Sequence, residues 1–396
     1  MRAKWFKSIV AAGILAGCAA ALAAPNPSRD GYQTSVPYAI LIEAESGTVL
    51  YDKGADQLIA PASLAKLMTA EVVFDQIALG NVSLDEEFVV STHAWRKGGA
   101  PSGGSTMYAP INSRIKVRDL LHGLVIQSGN DSAIALAEGV AGNEAAFARL
   151  MNDRARELGM TKSNFTNPAG LPDPEMRVTV RELAKLAQQI IHTYPEHYKW
   201  YAEREFTWNK IRQQNRNPLL AMNIGADGLK TGFTKEAGYG LVGSAVQNGL
   251  RLIVVVNGVK AEKERADEAR KLLEWGFKGF ETRTLFAEGQ HIAEAKLFGG
   301  AKGRVALTGK GEIKLMVPRN ATDRITARMV YTGPVRAPVK EGQPIGTLKV
   351  WRGETLALEV PLQAAENIGP GTTTQRAFDA ATEMVINLFR AGAERL

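Results

Sequence analysis

The chain has 396 residues, of which 45% are hydrophobic and 22% charged, the composition of a folded, water-soluble protein rather than of a disordered chain or a membrane-embedded bundle. At roughly 150 residues per domain, its length points to two or three domains. A formal charge of +7 implies solubility and a weak pull toward anionic polymers. No Lys/Arg tract marks a nucleic-acid surface.

The chain opens with Arg2, Lys4 and Lys7, followed by an uncharged apolar run from Ser8 to Ala23 that ends on Ala21-Leu22-Ala23. A basic start, a hydrophobic stretch and a small-residue exit read as a secretory signal over residues 1–23, and so as an exported, periplasmic protein. Its removal takes away three positive charges and no acid, leaving +4. Two other readings exist: a retained anchor, which needs about 20 apolar residues, and a lipoprotein site at Leu15-Ala16-Gly17-Cys18. Cys18 is the sole cysteine, so a chain cut after Ala23 has no disulfide, thiolate nucleophile or cysteine metal site.

Next come two short β runs, Tyr38 to Ala44 and Thr48 to Asp52, joined by a turn at Glu45-Ser46-Gly47. A helical pattern follows Pro61, with Leu64, Leu67, Met68, Val72 and Phe74 close to helical spacing. Helical periods return over Arg118–Gly139, Glu144–Leu158 and Thr179–Thr193. Beyond Lys230 the pattern reverts to strands at Tyr239–Val246 and Arg251–Asn257, and Ala261–Lys278 reads as one amphipathic helix. Strands at both ends with helices between them predict an α/β or α+β domain, residues 36–280, whose first and last strands pair.

After Phe280 short alternating segments, Ile313–Val317, Ile325–Tyr331, Thr347–Trp351 and Leu356–Val360, predict a small all-β, sandwich-like domain over residues 281–372. Residues 375–396 resume a helical period, with Phe378, Ala381, Val385, Leu388 and Phe389 on one face. Two readings fit this helix: a peripheral anchor lying in the membrane interface, or a helix docked on protein. The basic bias of an anionic-membrane helix is missing, since three arginines face three acids.

Chemistry concentrates in three short motifs. In Ser63-Leu64-Ala65-Lys66 a hydroxyl and an amine stand three residues apart at a helix start and share one face. Lysine can activate serine only when neutral, which requires burial and a second cation nearby; Lys230 is the expected second cation. Ser128-Gly129-Asn130 and Lys230-Thr231-Gly232 follow in order. S-x-x-K, S-D-N and K-T-G together mark penicillin-binding proteins and class A β-lactamases, and here Gly129 takes the place of the aspartate.

With these motifs the chain resembles the low-molecular-mass penicillin-binding proteins that are serine D-alanyl-D-alanine carboxypeptidases. Pro61-Ala62 ahead of Ser63, and Gln214-Asn215-Arg216-Asn217 ahead of Asp227-Gly228-Leu229-Lys230-Thr231-Gly232, belong to the likeness. It runs from about Tyr38 to Phe280 and on into the β-rich part and the final helix. The resemblance implies that Ser63 attacks the bond between two D-alanines of a peptidoglycan stem peptide, Lys66 takes its proton, and backbone N–H groups of Ser63 and Phe233 hold the oxyanion. It implies proton delivery to the leaving group by Ser128 and Lys230, a substrate-amide contact from Asn130, a carboxylate site of Thr231 and Arg216, and Gly232 beside them among the substrate-binding residues. β-Lactam antibiotics are then covalent inhibitors, and no cofactor or metal is needed. Some relatives carry histidine where this chain has Phe233.

The five histidines show no His-x-x-His or His-Glu-x-x-His spacing for zinc. The Gly98–Ser105 stretch lacks the Gly-Lys-Ser/Thr of a phosphate loop and reads as a loop bordering the site. Three alternatives stay open: a DD-endopeptidase acting on crosslinks, a β-lactamase, and a non-catalytic wall-binding module. A class A β-lactamase needs a marked glutamate base, and Asp173 and Glu175 in the Pro-rich loop offer none.

Overall fold

The computed structural model describes residues 32–319 and 324–381. The signal reading of residues 1–23, Cys18 and most of the last helix lie outside them. Residues 373–381, the start of that helix, are helical. Among the described residues no helix is long and apolar enough to cross a membrane.

A five-stranded antiparallel sheet organises the chain as far as Phe280. Its strands are β1 (Tyr38–Glu43), β2 (Val49–Lys53), β3 (Ala226–Thr234), β4 (Gly238–Gln247) and β5 (Leu250–Val259), in the order β2-β1-β5-β4-β3. The predicted pairing of first and last strands is present: Tyr38 faces Asn257 and Glu43 faces Leu252 across β1 and β5. Alternation along β5 separates two cores, because successive side chains leave opposite faces of a sheet. Ile253 and Val255 join the core shared with the helical layer. Leu252, Val254 and Val256 pack with Leu272 and Leu273 of the helix Glu262–Gly279. Each buried Leu, Ile or Val contributes about 1.5–3 kcal/mol over exposure, so burial on both faces fixes the sheet.

The helical layer contains α1 (Lys66–Ala78), α2 (Asn130–Ala141), α3 (Glu144–Glu157) and α4 (Val180–Thr193). One expected element comes out differently. Arg118–Gly139 is not one helix: it divides into an α-helix Val117–His122, a π-turn Gly123–Gln127 and α2. The break falls at Ser128, whose φ of 66° is left-handed and cannot continue a right-handed helix. Lys230-Thr231-Gly232 precedes the strand at Tyr239 and also lies inside a strand of its own, β3, which the pattern did not mark. Its glycines and polar residues hide the alternation, and as an edge strand it pairs only with β4.

Beyond Phe280 the strands Ala293–Phe298, Arg304–Gly309, Ile325–Tyr331, Val335–Arg336, Pro344–Arg352 and Thr355–Ala364 make a six-stranded sheet. A ribbon of Phe280–Phe286 with Ile313–Pro318 covers it, and Leu315 and Val317 share a third core with Leu307, Val350 and Leu362. Arg352 reaches back to the first sheet, donating to the Leu50 carbonyl at 3.1 Å.

Candidate active site

Ser63 sits on a single 3-10 turn, Ala62–Ala65, that runs straight into α1 at Lys66. Ala62 has a φ of 50°, a costly left-handed conformation for an alanine. Lys66 is 1% exposed, and its Nζ lies 3.0 Å from Ser63 Oγ, 2.7 Å from Asn130 Oδ1 and 2.7 Å from the Ala169 carbonyl. The last two can only accept. A neutral amine therefore gives its two N–H bonds to Asn130 and Ala169 and turns its lone pair toward the Ser63 hydroxyl.

Burial pushes Lys66 down to about 7; the Asp131 charge opposes the shift and the Arg216 charge adds to it. Arg216 is thus a cation near Lys66 that the expectation for Lys230 did not include. Lys230 is itself held well below its ordinary range, by burial first and then by the charges of Lys66, Arg216 and Arg265.

Ser128 is buried, and its Oγ has no hydrogen-bond partner. An orphaned buried hydroxyl costs about 1–3 kcal/mol, and this one lines the Ser63 cavity. Gly129 has no room for the aspartate of the S-D-N pattern: a Cβ there would stand 2.7 Å from Ser132 Oγ and 2.8 Å from Asp131 Oδ1. Asp131, which no motif marks, takes up that space. It is fully buried and accepts from Thr106 Oγ1 at 2.6 Å, Met107 N at 2.9 Å and Ala109 N at 3.1 Å. The Ser105 carbonyl accepts from Asn130 N, so the predicted bordering loop is tied to the motif at its Ser105 end.

β3 forms the opposite wall. Gly232 lies against the Ser63 turn, where a Cβ would be 3.1 Å from Pro61 O and from Leu64 N. A cavity of about 400 Å³ is lined by Ser63, Ser105, Ser128, Arg216, Thr231, Gly232, Phe233, Tyr239, Glu262 and Arg265. Of the residues singled out in the sequence, Ser63, Ser128, Arg216, Thr231, Gly232 and Phe233 meet there; Lys66, Asn130 and Lys230 lie buried beside them. Asp173 and Glu175 are not among the lining residues.

Known proteins share the sequence and the fold that carry this cavity. The family model for D-alanyl-D-alanine carboxypeptidases fits residues 24–261, and that for the C-terminal domain of penicillin-binding protein 5 fits residues 280–369. The chain belongs to the D-alanyl-D-alanine carboxypeptidase family. It is 40% identical over 344 residues to D-alanyl-D-alanine carboxypeptidase DacC of Escherichia coli, covering 86% of each chain. To DacA of Haemophilus influenzae it is 36% identical over 353 residues, 88% of this chain and 89% of that one. Crystal structures of penicillin binding protein 5 from H. influenzae superpose with a TM-score of 0.71 at 35% identity, over 85% of this chain and 98% of the other. Penicillin-binding protein D2 of Listeria monocytogenes, in its cefotaxime-bound form, matches 62% of this chain and 99% of its own at a TM-score of 0.57 and 34% identity.

This serine D-alanyl-D-alanine carboxypeptidase has a second cavity cation that its motifs do not mark. Arg265 is 3% exposed, donates through Nη2 to Glu262 at 3.1 Å and lies 5.6 Å from the Tyr239 ring centre. Its Nε is buried without a partner. It sits in the amphipathic helix after β5, where an arginine reads as surface until the fold turns it under Tyr239. Phe233, 50% exposed, stacks on the same tyrosine, with the two ring centres 4.2 Å apart.

Proposed function

We propose that this carboxypeptidase removes the terminal D-alanine of peptidoglycan stem pentapeptides through an acyl-enzyme on Ser63. The observation that carries the reading is the buried Lys66 amine, 3.0 Å from the hydroxyl, with two acceptors fixing its N–H bonds and a pKa near neutrality. Ser63 Oγ bonds to the carbonyl carbon of the penultimate D-alanine as its proton passes to Lys66 Nζ. The oxyanion lies between the N–H groups of Ser63 and Phe233. As the amide bond breaks, the departing nitrogen takes a proton delivered by way of Ser128 and Lys230, and water then hydrolyses the ester. Asn130, whose Oδ1 accepts from Lys66, offers its amide N–H₂ to the substrate carbonyl. Thr231 and Arg216, beside Gly232, receive the terminal carboxylate, and a β-lactam occupies the same place and stays bound as an ester.

The same reading assigns residues 1–23 to a signal, 36–280 to the peptidase domain, 281–372 to a β domain that holds the peptidase relative to the envelope, and 375–396 to an amphipathic helix at the membrane surface. The site is then periplasmic, on the outer face of the inner membrane. Mass spectrometry of the protein after exposure to a labelled penicillin tests the chemistry. One adduct on Ser63, absent from Ser63→Ala together with D-alanine release, is the expected result; labelling of the variant at another serine overturns it.

A further inference from the structure

Below Lys230 the sheet carries a partly buried charged cluster that touches neither the cavity nor the nucleophile. Asp227 of β3 is held in a fork by Arg251 of β5, Nη1 to Oδ1 and Nη2 to Oδ2, both at 2.8 Å. Arg251 Nη1 also donates to Ser244 Oγ of β4 at 2.7 Å. The Tyr198 hydroxyl donates to Asp227 Oδ1 at 2.6 Å, and the Arg251 guanidinium lies 5.3 Å from the Tyr198 ring centre. Burial, and then the Asp227 charge, push the Tyr198 hydroxyl up, so it stays protonated and donates.

The position of this cluster gives it a consequence. Ala226 faces Ala245 and Gly228 faces Ser244, so Asp227 is the extra residue of a bulge in β3. Downstream the ladder is regular, with Lys230 opposite Val242 and Thr231 opposite Leu241. In a strand of period two, a slip of one residue exchanges every side chain between faces. It would put Leu229 or Thr231 where Lys230 now stands. β3 is an edge strand with one sheet neighbour, so that neighbour alone fixes its phase less firmly than an inner strand's. The fork spans β4 and ties the bulge to β5 two strands away, while Tyr198, from the helix Pro195–Tyr198, ties it to the layer below.

We infer that Asp227, Arg251 and Tyr198 are positioning residues: they pin the bulge that sets the register of β3 and thereby place Lys230 and Thr231 for acyl transfer. None of the three lines the cavity. The inference rests on the roles proposed above for Lys230 and Thr231. Its test is the rate of Ser63 acylation by a penicillin in Asp227→Ala and Tyr198→Phe, measured in native and Thr231→Ala backgrounds well below the melting temperature of each folded protein. Misplacing a reacting group by about 1 Å costs up to about 100-fold, so Asp227→Ala is expected to acylate about 10- to 100-fold more slowly. Tyr198→Phe, which loses the bond donated to Asp227 and the one accepted from Arg251 Nη1 but keeps its packing, is expected to lose about 2- to 10-fold, so the test stands even where Asp227→Ala does not fold. Both losses shrink in the Thr231→Ala background, because a pin that acts through β3 is non-additive with the residue it places. Rates within twofold of wild type, or the same loss in both backgrounds, overturn the inference. A wild-type protein that takes no label on Ser63 overturns the proposed function instead.

Discussion

The two halves of the molecule differ in what they bury. Among the described residues, the interior up to Phe280 holds Lys66, Glu71, Ser128, Asn130, Asp131, Lys230, Arg265 and other polar groups; in the β-rich half it holds Thr308 and Arg352. Burying a polar or charged group is costly unless it is paired, and a region of pure scaffold has no reason to bear that cost. The peptidase half bears it because a lysine held near neutrality, and a serine hydroxyl with no partner, exist only out of water. The β half fills its interior with Leu307, Val350, Leu358 and Leu362 and inserts one arginine into its neighbour.

The sharpest way to break this contrast is Lys66→Arg. Guanidinium stays protonated in a protein, so acylation of Ser63 should fall by about 100- to 10,000-fold, the range of a lost general base. If Lys66 is the base, as proposed, only its neutral amine serves. With Lys66 at about 7, the acylation rate should therefore rise about tenfold from pH 6 to pH 8 and level off above, and stopped-flow labelling across that range checks the sign. A rate that falls with pH would remove Lys66 as the base.

A smaller effect is expected at the cavity's rim. With the carboxylate role proposed for Arg216, Arg216→Ala should lose one charge-assisted contact, about 1.5–3 kcal/mol or roughly 10- to 150-fold in kcat/KM. The preference for a free C-terminal acid over its amide should shrink with it. Undiminished preference would move the carboxylate to Thr231 and the buried Arg265.

The smallest catalytic effect belongs to the β half. Arg352→Ala deletes the donor to Leu50 O and the guanidinium lying 5.6 Å from the Phe280 ring centre. Thermal unfolding should register about 1–3 kcal/mol of lost stability, while acylation at room temperature stays within about twofold of wild type. A large fall in acylation with little loss of stability would show that the β half reaches the site.

Much of this was legible before any fold was known, because local chemistry leaves local marks. The three motifs, the alternation in Arg251–Asn257 and the period of Thr179–Thr193 depend on neighbours in sequence, and they marked residues that line or flank the cavity, the central strand and α4. The family likeness added Arg216 and Phe233, which both line the cavity. What stayed hidden depends on residues far apart in the chain. That Arg118–Gly139 breaks at Ser128 follows from a left-handed residue no periodicity reveals. That Asp131 matters follows from donors at Thr106, Met107 and Ala109, in a loop well upstream of it. The bulge at Asp227 is pinned only because Arg251 lies two strands away. The sequence by itself determined which groups stand together, since a hydroxyl and an amine three residues apart at a helix start share one face. Only the tertiary structure decided the state of those groups, because burial, and the Arg216 charge brought in from far along the chain, set the Lys66 proton.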